Sequence, residues 1–467
     1  MVFSSPIFLF YFLPFVLLLY YLVRGNIYLQ NIILFFSSLL FYFWGEKQYV
    51  ILVLFSMAIN YGFGYFISET NSQLRKNWIL GIGIVSNLSI LLYYKYFDFL
   101  FSAFTHTPIQ HSIHLPLGVS FFTFHGLTYI IDIYRRDATA AKNPLNVGLY
   151  ILFFPQLIAG PIVRYKDIDT QLNARTVTNE KLYEGIRRFI IGFAKKICIA
   201  NTLGSIADAI YQLPSSDMSP SLAWLASLCY TLQIYFDFSG YSDMAIGLAK
   251  LFGFEFVENF NFPYAARSIQ DFWRRWHISL STFFRDYVYI PLGGNRKGPF
   301  RVYLNLLLVF FLTGLWHGAS WNYILWGLFH GSFLLLERFG LSKLLEKIPK
   351  VVGHVYTIFV VMIGWVLFRI EDLDKAGEIL RKLFFIDRSS RNVYTPAYYL
   401  RNDVIFMLLI GIVLSFPIQK LFVRSLPVYT LNPFKKLLID GFYFAIFLIS
   451  LSILSASTYN PFIYFRF

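Results

Sequence analysis

The strongest candidate for chemistry in this chain is His317, which lies in the apolar segment TGLWHGASW, residues 313–321. An ionisable side chain is costly at membrane depth, so a residue of this kind is a functional candidate by default. An imidazole with a pKa close to neutrality can take a proton from a hydroxyl group while that hydroxyl attacks a thioester. No nearby serine or cysteine forms a nucleophile elbow, so the pattern favours direct general-base transfer over a covalent serine intermediate.

The neighbours of His317 are expected to shape its surroundings. Gly314 and Gly318 have no side chains, which would let a substrate approach the backbone closely. Trp316 is adjacent in sequence, and Trp321 is four residues further on, where it would share a helical face with His317. Both indoles are therefore predicted to support or line the passage that leads to the imidazole.

A second histidine, His277, falls in the segment 267–289, which is too polar to span a membrane. On a continuous helix it would belong to one basic stripe at offsets of 0, 3, 7 and 11, formed by Arg274, His277, Ser281 and Arg285, with Arg275 beside it. One interpretation is an amphipathic helix that anchors the chain at the membrane surface. The other is an anion site, because guanidinium groups bind phosphate oxygens bidentately and would suit a donor such as coenzyme A.

A basic, glycine-rich loop follows at residues 291–298, with the sequence PLGGNRKG. Its polar members Asn295, Arg296 and Lys297 are candidates for donor binding. The loop lacks the GK[ST] ending of a Walker A motif, so both a plain turn and a phosphate cradle remain open.

Two carboxylates interrupt the apolar segment 235–247, YFDFSGYSDMAIG. Within a hydrophobic span they require partners, and Asp237 with Tyr241 and Ser239 with Asp243 are i,i+4 neighbours that could satisfy each other. A supporting polar network and a catalytic role both fit this pattern. Two aspartates alone do not make a metal site, so we expect no metal and no permanently bound cofactor.

Other polar residues in apolar segments are interpreted as structural. Two further histidines, His125 and His330, resemble His317 only in being ionisable groups among apolar neighbours. Asp132 lies seven residues after His125, on the same helical face. Cys198 and Cys229 lie at no metal-ligand spacing and are predicted to be packing residues.

The elements that carry these residues are predicted to be membrane helices. Hydrophobic residues make up 57% of the 467 positions and charged residues only 14%, whereas about a quarter of a soluble chain is charged. Apolar runs of roughly 20 residues recur, which predicts an all-α, polytopic membrane protein of about eleven to thirteen transmembrane or re-entrant helices. The runs lie near 7–23, 27–44, 49–67, 78–97, 115–133, 146–163, 222–250, 302–316, 319–336, 353–369, 403–423 and 437–456.

The excess of basic residues is explained by membrane topology. Forty Lys and Arg against 26 Asp and Glu give a net charge of +14, and the basic clusters at 164–196 and 267–301 flank hydrophobic runs. Such loops are expected to face the cytoplasm and to attract membrane lipids, rather than nucleic acid. No polar stretch is long enough for a soluble catalytic domain. We therefore expect a single membrane domain, 1–467, and a transporter is a competing interpretation.

Three segments carry a resemblance to a known family: residues 235–247, 313–321, and 271–295, DFWRRWHISLSTFFRDYVYIPLGGN. They resemble the membrane-bound O-acyltransferase (MBOAT) family, most closely its bacterial alginate and peptidoglycan O-acetyltransferase membrane subunits. Supporting similarity runs through residues 1–10, 115–135 and 154–164. The resemblance therefore covers nearly the whole chain, with a catalytic core at about 115–338 and C-terminal helices at about 350–467.

The resemblance implies a fold and a reaction. The fold would be a ring of tilted helices around a central tunnel, in the inner membrane of a bacterium. His317 and His277 match the two family histidines, and the acyl donor would be acetyl-CoA. The acceptor would be a hydroxyl of an exported polysaccharide, with a periplasmic SGNH-type partner that completes the transfer. A lipid or protein acceptor is the alternative within the family.

The C-terminal segment NPFIYFRF, residues 460–467, is rich in aromatic residues. Packing or interfacial anchoring is the simpler interpretation. As a second hypothesis, Tyr464 could relay the acetyl group between two chains, since a phenol can act as a nucleophile beside a base.

Overall fold

The chain is described here by a computed structural model that covers residues 2–105, 113–391, 393–418, 432–457 and 459–460. Helices account for all the regular secondary structure in these ranges. The first eleven, α1 to α11, are Leu13–Leu22, Ile27–Glu46, Val50–Glu69, Gln73–Leu91, Phe97–Thr105, Val119–Arg135, Pro144–Leu152, Phe154–Leu157, Tyr165–Asn173, Asn179–Ala194 and Asn201–Tyr211.

The second half of the chain continues the same pattern. Helices α12 to α22 are Pro220–Leu251, Ile269–Trp273, Ile278–Phe284, Pro299–His317, Trp321–Leu336, Ser342–Lys347, Lys350–Arg369, Leu373–Leu383, Pro396–Tyr399, Asn402–Leu414 and Pro433–Ala456. Short π or 3₁₀ turns are Phe8–Phe12, Lys47–Tyr49, Leu92–Tyr96, Lys195–Ala200, Ser215–Asp217, Pro263–Ala265, Arg285–Tyr289 and Glu337–Leu341.

The helices confirm the predicted all-α, multi-pass membrane protein. Within the described ranges, seven helical segments are long and apolar enough to cross a membrane: Ile27–Glu69, Gln73–Thr105, Asn179–Tyr211, Pro299–His317, Trp321–Lys347, Lys350–Arg369 and Pro433–Ala456. The first of these contains two helices of 20 residues each, α2 and α3. Two shorter apolar helical segments, Phe8–Leu22 and Asn402–Leu414, add to them.

The count differs from the expected eleven to thirteen partly because several predicted apolar runs fold into shorter elements than a spanning helix. The run 115–133 forms the 17-residue helix α6. The run 146–163 is divided into α7 and α8 at Phe153, whose ψ of 112° is extended. Pro155 lies in the first turn of α8, where a missing N–H costs nothing.

The chain divides into two compact units, and it passes between them within α10, within α12 and after Val257. The first unit comprises residues 1–189 and 241–257. Its core contains a cluster of phenylalanine rings, in which Phe12, Phe41 and Phe154 lie 5.5–5.6 Å apart. Asn60 and Asn87 exchange hydrogen bonds of 2.8 and 3.0 Å between α3 and α4, which joins these two helices without exposing an amide to lipid.

The second unit comprises residues 190–240 and 258–467 and contains both His277 and His317. It contains a tight pair of helices, α15 and α16. A side chain at Gly314 would collide with the carbonyl oxygen of Tyr323, and one at Gly327 with that of Phe310. Small residues therefore let the two backbones touch, which is a common way to pack membrane helices.

Candidate active site

The catalytic candidate His317 is the last residue of α15. Gly318 follows in an extended conformation, and α16 begins at Trp321. The expectation that Gly314 and Gly318 leave the backbone open to substrate is wrong. Gly314 faces the backbone of α16, and the ring of Tyr323 covers Gly318. Both glycines serve the packing that holds His317 at the helix end.

Aromatic rings surround the imidazole of His317, which is only 5% exposed. Its ring centroid lies 4.9 Å from that of Trp316, 5.0 Å from that of Trp326 and 5.1 Å from that of Phe368. All three contacts are edge-to-face. The sequence identified Trp316 and missed Trp326 and Phe368, since only the packing of α15 against α16 and α18 brings these two rings together.

Trp321 does not share a helical face with His317, and that prediction is wrong. The helix ends at His317, so the i+4 relationship does not hold across the turn. Trp321 instead begins the next helix and is 57% exposed. Its role as a support for the imidazole is taken by Trp326.

His277 is fully buried and does not lie on an amphipathic helix. The segment predicted to form one helix breaks between α13 and α14, and His277 adopts a φ of +45° at the break. The predicted basic stripe is therefore wrong, because the offsets of a continuous helix do not apply. Two backbone hydrogen bonds of 3.0 Å replace helical ones, from Asn261 N–H to the Arg275 carbonyl and from Ile278 N–H to the Asn259 carbonyl.

The imidazole of His277 has one polar side and two aromatic neighbours. Its Nδ1 lies 3.1 Å from Asn259 Oδ1 and 3.4 Å from Ser279 Oγ. Its ring centroid lies 4.7 Å from that of Phe238 and 5.8 Å from that of Trp316. Sequence reasoning missed Asn259, because a lone asparagine 18 positions earlier carries no local signal.

Trp316 connects the two histidines. Its indole contacts the ring of His277 and the ring of His317. The second unit therefore brings together the two imidazoles that the sequence selected, around one aromatic side chain. Burial lowers the pKa of His277, which lies outside the candidate spans, to about 3, so its ring is neutral at physiological pH.

A third imidazole, that of His330, lies in the same unit. It is fully buried on α16, and its ring contacts Trp326 at 5.3 Å and Trp273 at 5.2 Å. Gly364 makes room for it, because a side chain at that position would collide with His330 Nε2. This environment is compatible with the structural role that the sequence predicts for His330.

The predicted donor-binding residues have different surroundings. Arg274, Arg296 and Lys297 are exposed. Arg275 and Arg285 already form ion pairs of 2.8 Å with Asp271 and 2.7 Å with Asp286. The other two predicted donor-binding residues, Ser281 and Asn295, make local hydrogen bonds. Ser281 Oγ donates to the Trp273 carbonyl, and Asn295 Oδ1 accepts from the Tyr289 hydroxyl.

The carboxylates of α12 are neutralised by cations on a neighbouring segment. Lys196 Nζ lies 2.7 Å from Asp237, and Arg188 donates to Asp243 over 2.6 Å. The prediction that i,i+4 neighbours satisfy these carboxylates is therefore wrong. Tyr241 and Asp243 belong to the first unit, where Tyr241 stacks on Phe3 at 4.5 Å. Asp237 belongs to the second unit.

The chain belongs to the membrane-bound O-acyltransferase family. The sequence model of that family matches residues 136–371, which include both His277 and His317. The family defines the class of reaction, and the chain is accordingly a multi-pass membrane acyltransferase.

Individual relatives narrow the similarity. The chain is 45% identical over 397 residues to the probable alginate O-acetylase AlgI of Azotobacter vinelandii, which covers 82% of this chain and 78% of the relative. It is 39% identical to the protein of the same name from Pseudomonas putida, over the full length of both. It is 37% identical to the peptidoglycan O-acetyltransferase of Helicobacter pylori, over 82% of this chain and 79% of that protein.

Proposed function

We propose that this protein transfers acetyl groups from acetyl-CoA, on the cytoplasmic side of a bacterial inner membrane, toward hydroxyl groups of an exported polysaccharide. The relatives just named are described as O-acetylases or O-acetyltransferases of alginate and peptidoglycan, which supports acetyl as the group and a polysaccharide as the acceptor. The observation that carries the proposal is the pair of buried imidazoles around Trp316.

In the proposed reaction, His317 is the general base. The acceptor oxygen attacks the thioester carbonyl carbon, the C–S bond breaks, and the hydroxyl proton passes to His317. The protonated imidazole then returns that proton to the departing thiolate, so that coenzyme A leaves as a thiol. The aromatic surroundings of His317 exclude water, which would otherwise hydrolyse the thioester.

The proposed donor site uses basic residues of the segment 274–297. Arg274, Arg296 and Lys297 are exposed and would be available to the phosphates of coenzyme A. Arg275 and Arg285 would first have to leave Asp271 and Asp286, so we assign them a smaller share of donor affinity. Charge-reversing changes at the first three should raise KM for acetyl-CoA with little effect on kcat.

The proposal predicts that His317→Ala abolishes acetyl transfer. Loss of a general base costs about 10²–10⁴-fold in rate. Release of the coenzyme A thiol by the purified protein in liposomes measures this. His354→Gln is the matched control, because His354 is a half-buried histidine whose Nδ1 lies 3.1 Å from the Ala266 carbonyl. A transporter would release no coenzyme A thiol, and unchanged turnover in His317→Ala would contradict the assignment.

The acceptor and the partner are separate parts of the proposal. We propose that a periplasmic SGNH-type protein completes the transfer, since no segment of this chain forms a soluble catalytic domain by composition. Mass spectra of surface polymers from cells with and without the gene distinguish a polysaccharide acceptor from a lipid or protein acceptor. Tyr464 lies outside the described residues, and its relay role stays a prediction. Normal polysaccharide acetylation in Tyr464→Phe would contradict it.

A further inference from the structure

The hydrogen bonds around His277 determine which of its nitrogens carries a proton. The backbone N–H of Ser279 can only donate, and it lies 3.3 Å from Asn259 Oδ1. That atom is therefore the carboxamide oxygen, which accepts and has no hydrogen to give. His277 Nδ1 lies 3.1 Å from the same oxygen, so Nδ1 must be the protonated nitrogen.

The other nitrogen, Nε2, is consequently a bare acceptor. A neutral imidazole carries a single N–H, so a proton on Nδ1 leaves a lone pair on Nε2. Nε2 is buried and has no hydrogen-bond partner among the residues that the structure describes. The side chains that contact the ring, those of Asn259, Ser279, Phe238 and Trp316, carry no charge.

The local backbone is shaped around this arrangement. A φ of +45° at a histidine costs on the order of 1–3 kcal/mol and persists only where the surroundings enforce it. The two backbone hydrogen bonds from the 259–261 segment supply that enforcement. They place the carboxamide of Asn259 beside Nδ1, and the Ser279 hydroxyl orients it by donating to Oδ1 over 2.9 Å.

We propose that Asn259 is a positioning residue for acyl transfer, which holds His277 in the Nδ1–H tautomer so that Nε2 accepts a hydrogen bond from a bound substrate. In this tautomer His277 cannot donate from Nε2 to a developing oxyanion. The inference rests on the proposed function, since it places His277 in the transfer site.

Two substitutions at Asn259 test the proposal by their effects on acetyl-CoA turnover and on the pKa of His277. Asn259→Leu removes the acceptor for Nδ1–H and should lower turnover at least about tenfold, since loss of the correct histidine tautomer is severe in other enzymes. Asn259→Asp keeps an acceptor, so it should restore most of the turnover at alkaline pH. Its carboxylate stabilises the charged imidazole, so the pKa of His277, followed by its imidazole NMR signals, should move up by at least about one unit.

A control variant, Asn146→Asp, and the variant His277→Ala make the possible outcomes distinguishable. Asn146→Asp places a carboxylate at a buried asparagine in the first unit, and it should leave the pKa of His277 in place. Size-exclusion chromatography and thermal unfolding establish that each variant is folded. If Asn259→Leu does not fold, the pKa of His277 in Asn259→Asp decides the question alone.

Two results would overturn the inference. The first requires that His277→Ala is inactive. In that case, either a pKa of His277 in Asn259→Asp that matches wild type or a folded Asn259→Leu with wild-type turnover would show that Asn259 does not position His277. This result would leave the proposed function standing. The other is wild-type turnover in His277→Ala, which would remove His277 from the proposed transfer site and with it the premise of the inference.

Discussion

At the scale of single residues, the two candidate histidines have different environments. His317 ends a helix among three aromatic rings, whereas His277 occupies a strained break and is oriented by a carboxamide. A proton can therefore be handled by one ring while the other keeps a fixed tautomer. This difference suits a reaction in which a hydroxyl must be activated and a thiolate must leave.

The buried imidazole of His277 should make stability depend on pH. Burial lowers its pKa from 6.5 to about 3, so between these values the unfolded chain binds a proton that the folded chain does not. The contribution of the neutral imidazole to the free energy of unfolding is complete above pH 6.5, the pKa in the unfolded chain. It is lost as the pH falls toward 3. At pH 5 the loss amounts to about 2 kcal/mol.

Thermal unfolding in detergent between pH 7 and pH 5 measures this effect. The melting temperature of wild type should fall more steeply with acidification than that of His277→Gln. Parallel curves for the two proteins would show that the imidazole is accessible to protons in the folded state.

At the scale of elements, the helical pair α15 and α16 fixes the position of His317. The two backbones touch at Gly314 and Gly327, and this contact brings Trp326 against the imidazole. The sequence identified Gly314 but assigned it to substrate access, and it gave no sign of the role of Gly327. The sequence shows that a residue is small, whereas only the packing of the partner helix shows what fills the space beside it.

Gly314→Ala should therefore destabilise the protein and displace His317. The added methyl group meets the carbonyl of Tyr323, and overpacking of this kind costs roughly 1–3 kcal/mol. Gly81→Ala is the matched control, because Gly81 lies on a helix with open space around it, where alanine should be neutral or stabilising. Both are compared by thermal unfolding and by acetyl-CoA turnover. Equal melting temperatures for the two variants would contradict the close approach of the helices.

The break at His277 marks the limit of prediction from local sequence. The spacing of Arg274, His277 and Ser281 fits a helix, and the flanking residues are helical. The hydrogen bonds that interrupt the helix come from Asn259 and Asn261, more than ten positions earlier. The apolar runs, by contrast, were predictable because a membrane helix satisfies its backbone within its own segment.

At the scale of the whole molecule, composition predicted the class of fold, and the motifs predicted the family. Ion pairs across elements were not predictable, since they join residues far apart in sequence. Arg369 donates to Asp208 over 2.6 Å, and the hydroxyl of Tyr459 donates to the same carboxylate over 2.8 Å. Asn201 adds hydrogen bonds of 3.3 and 3.2 Å to Tyr459 and Asn460. Residues 459–460 are thereby held against α11.

Tyr459→Phe should loosen this attachment. A hydrogen bond to a charged group contributes about 1.5–3 kcal/mol, so chymotrypsin should cleave after position 459 at least about tenfold faster in the variant. Chymotrypsin cleaves after both phenylalanine and tyrosine, so the rates of the variant and of wild type can be compared directly. Tyr398→Phe changes an exposed tyrosine and should leave the rate unaltered. An unchanged rate in Tyr459→Phe would show that the carboxylate does not hold the segment.

We propose that His317 and His277 form one acyl-transfer centre. The direct measurement is the rate of coenzyme A release at saturating acetyl-CoA by His317→Ala, His277→Ala and the double variant, each shown to be folded. Groups that act as a unit have non-additive effects, so the double variant should be no slower than the slower single variant, with both singles at least about a hundredfold below wild type. A wild-type rate in either single variant, or losses that multiply in the double variant, would contradict the account.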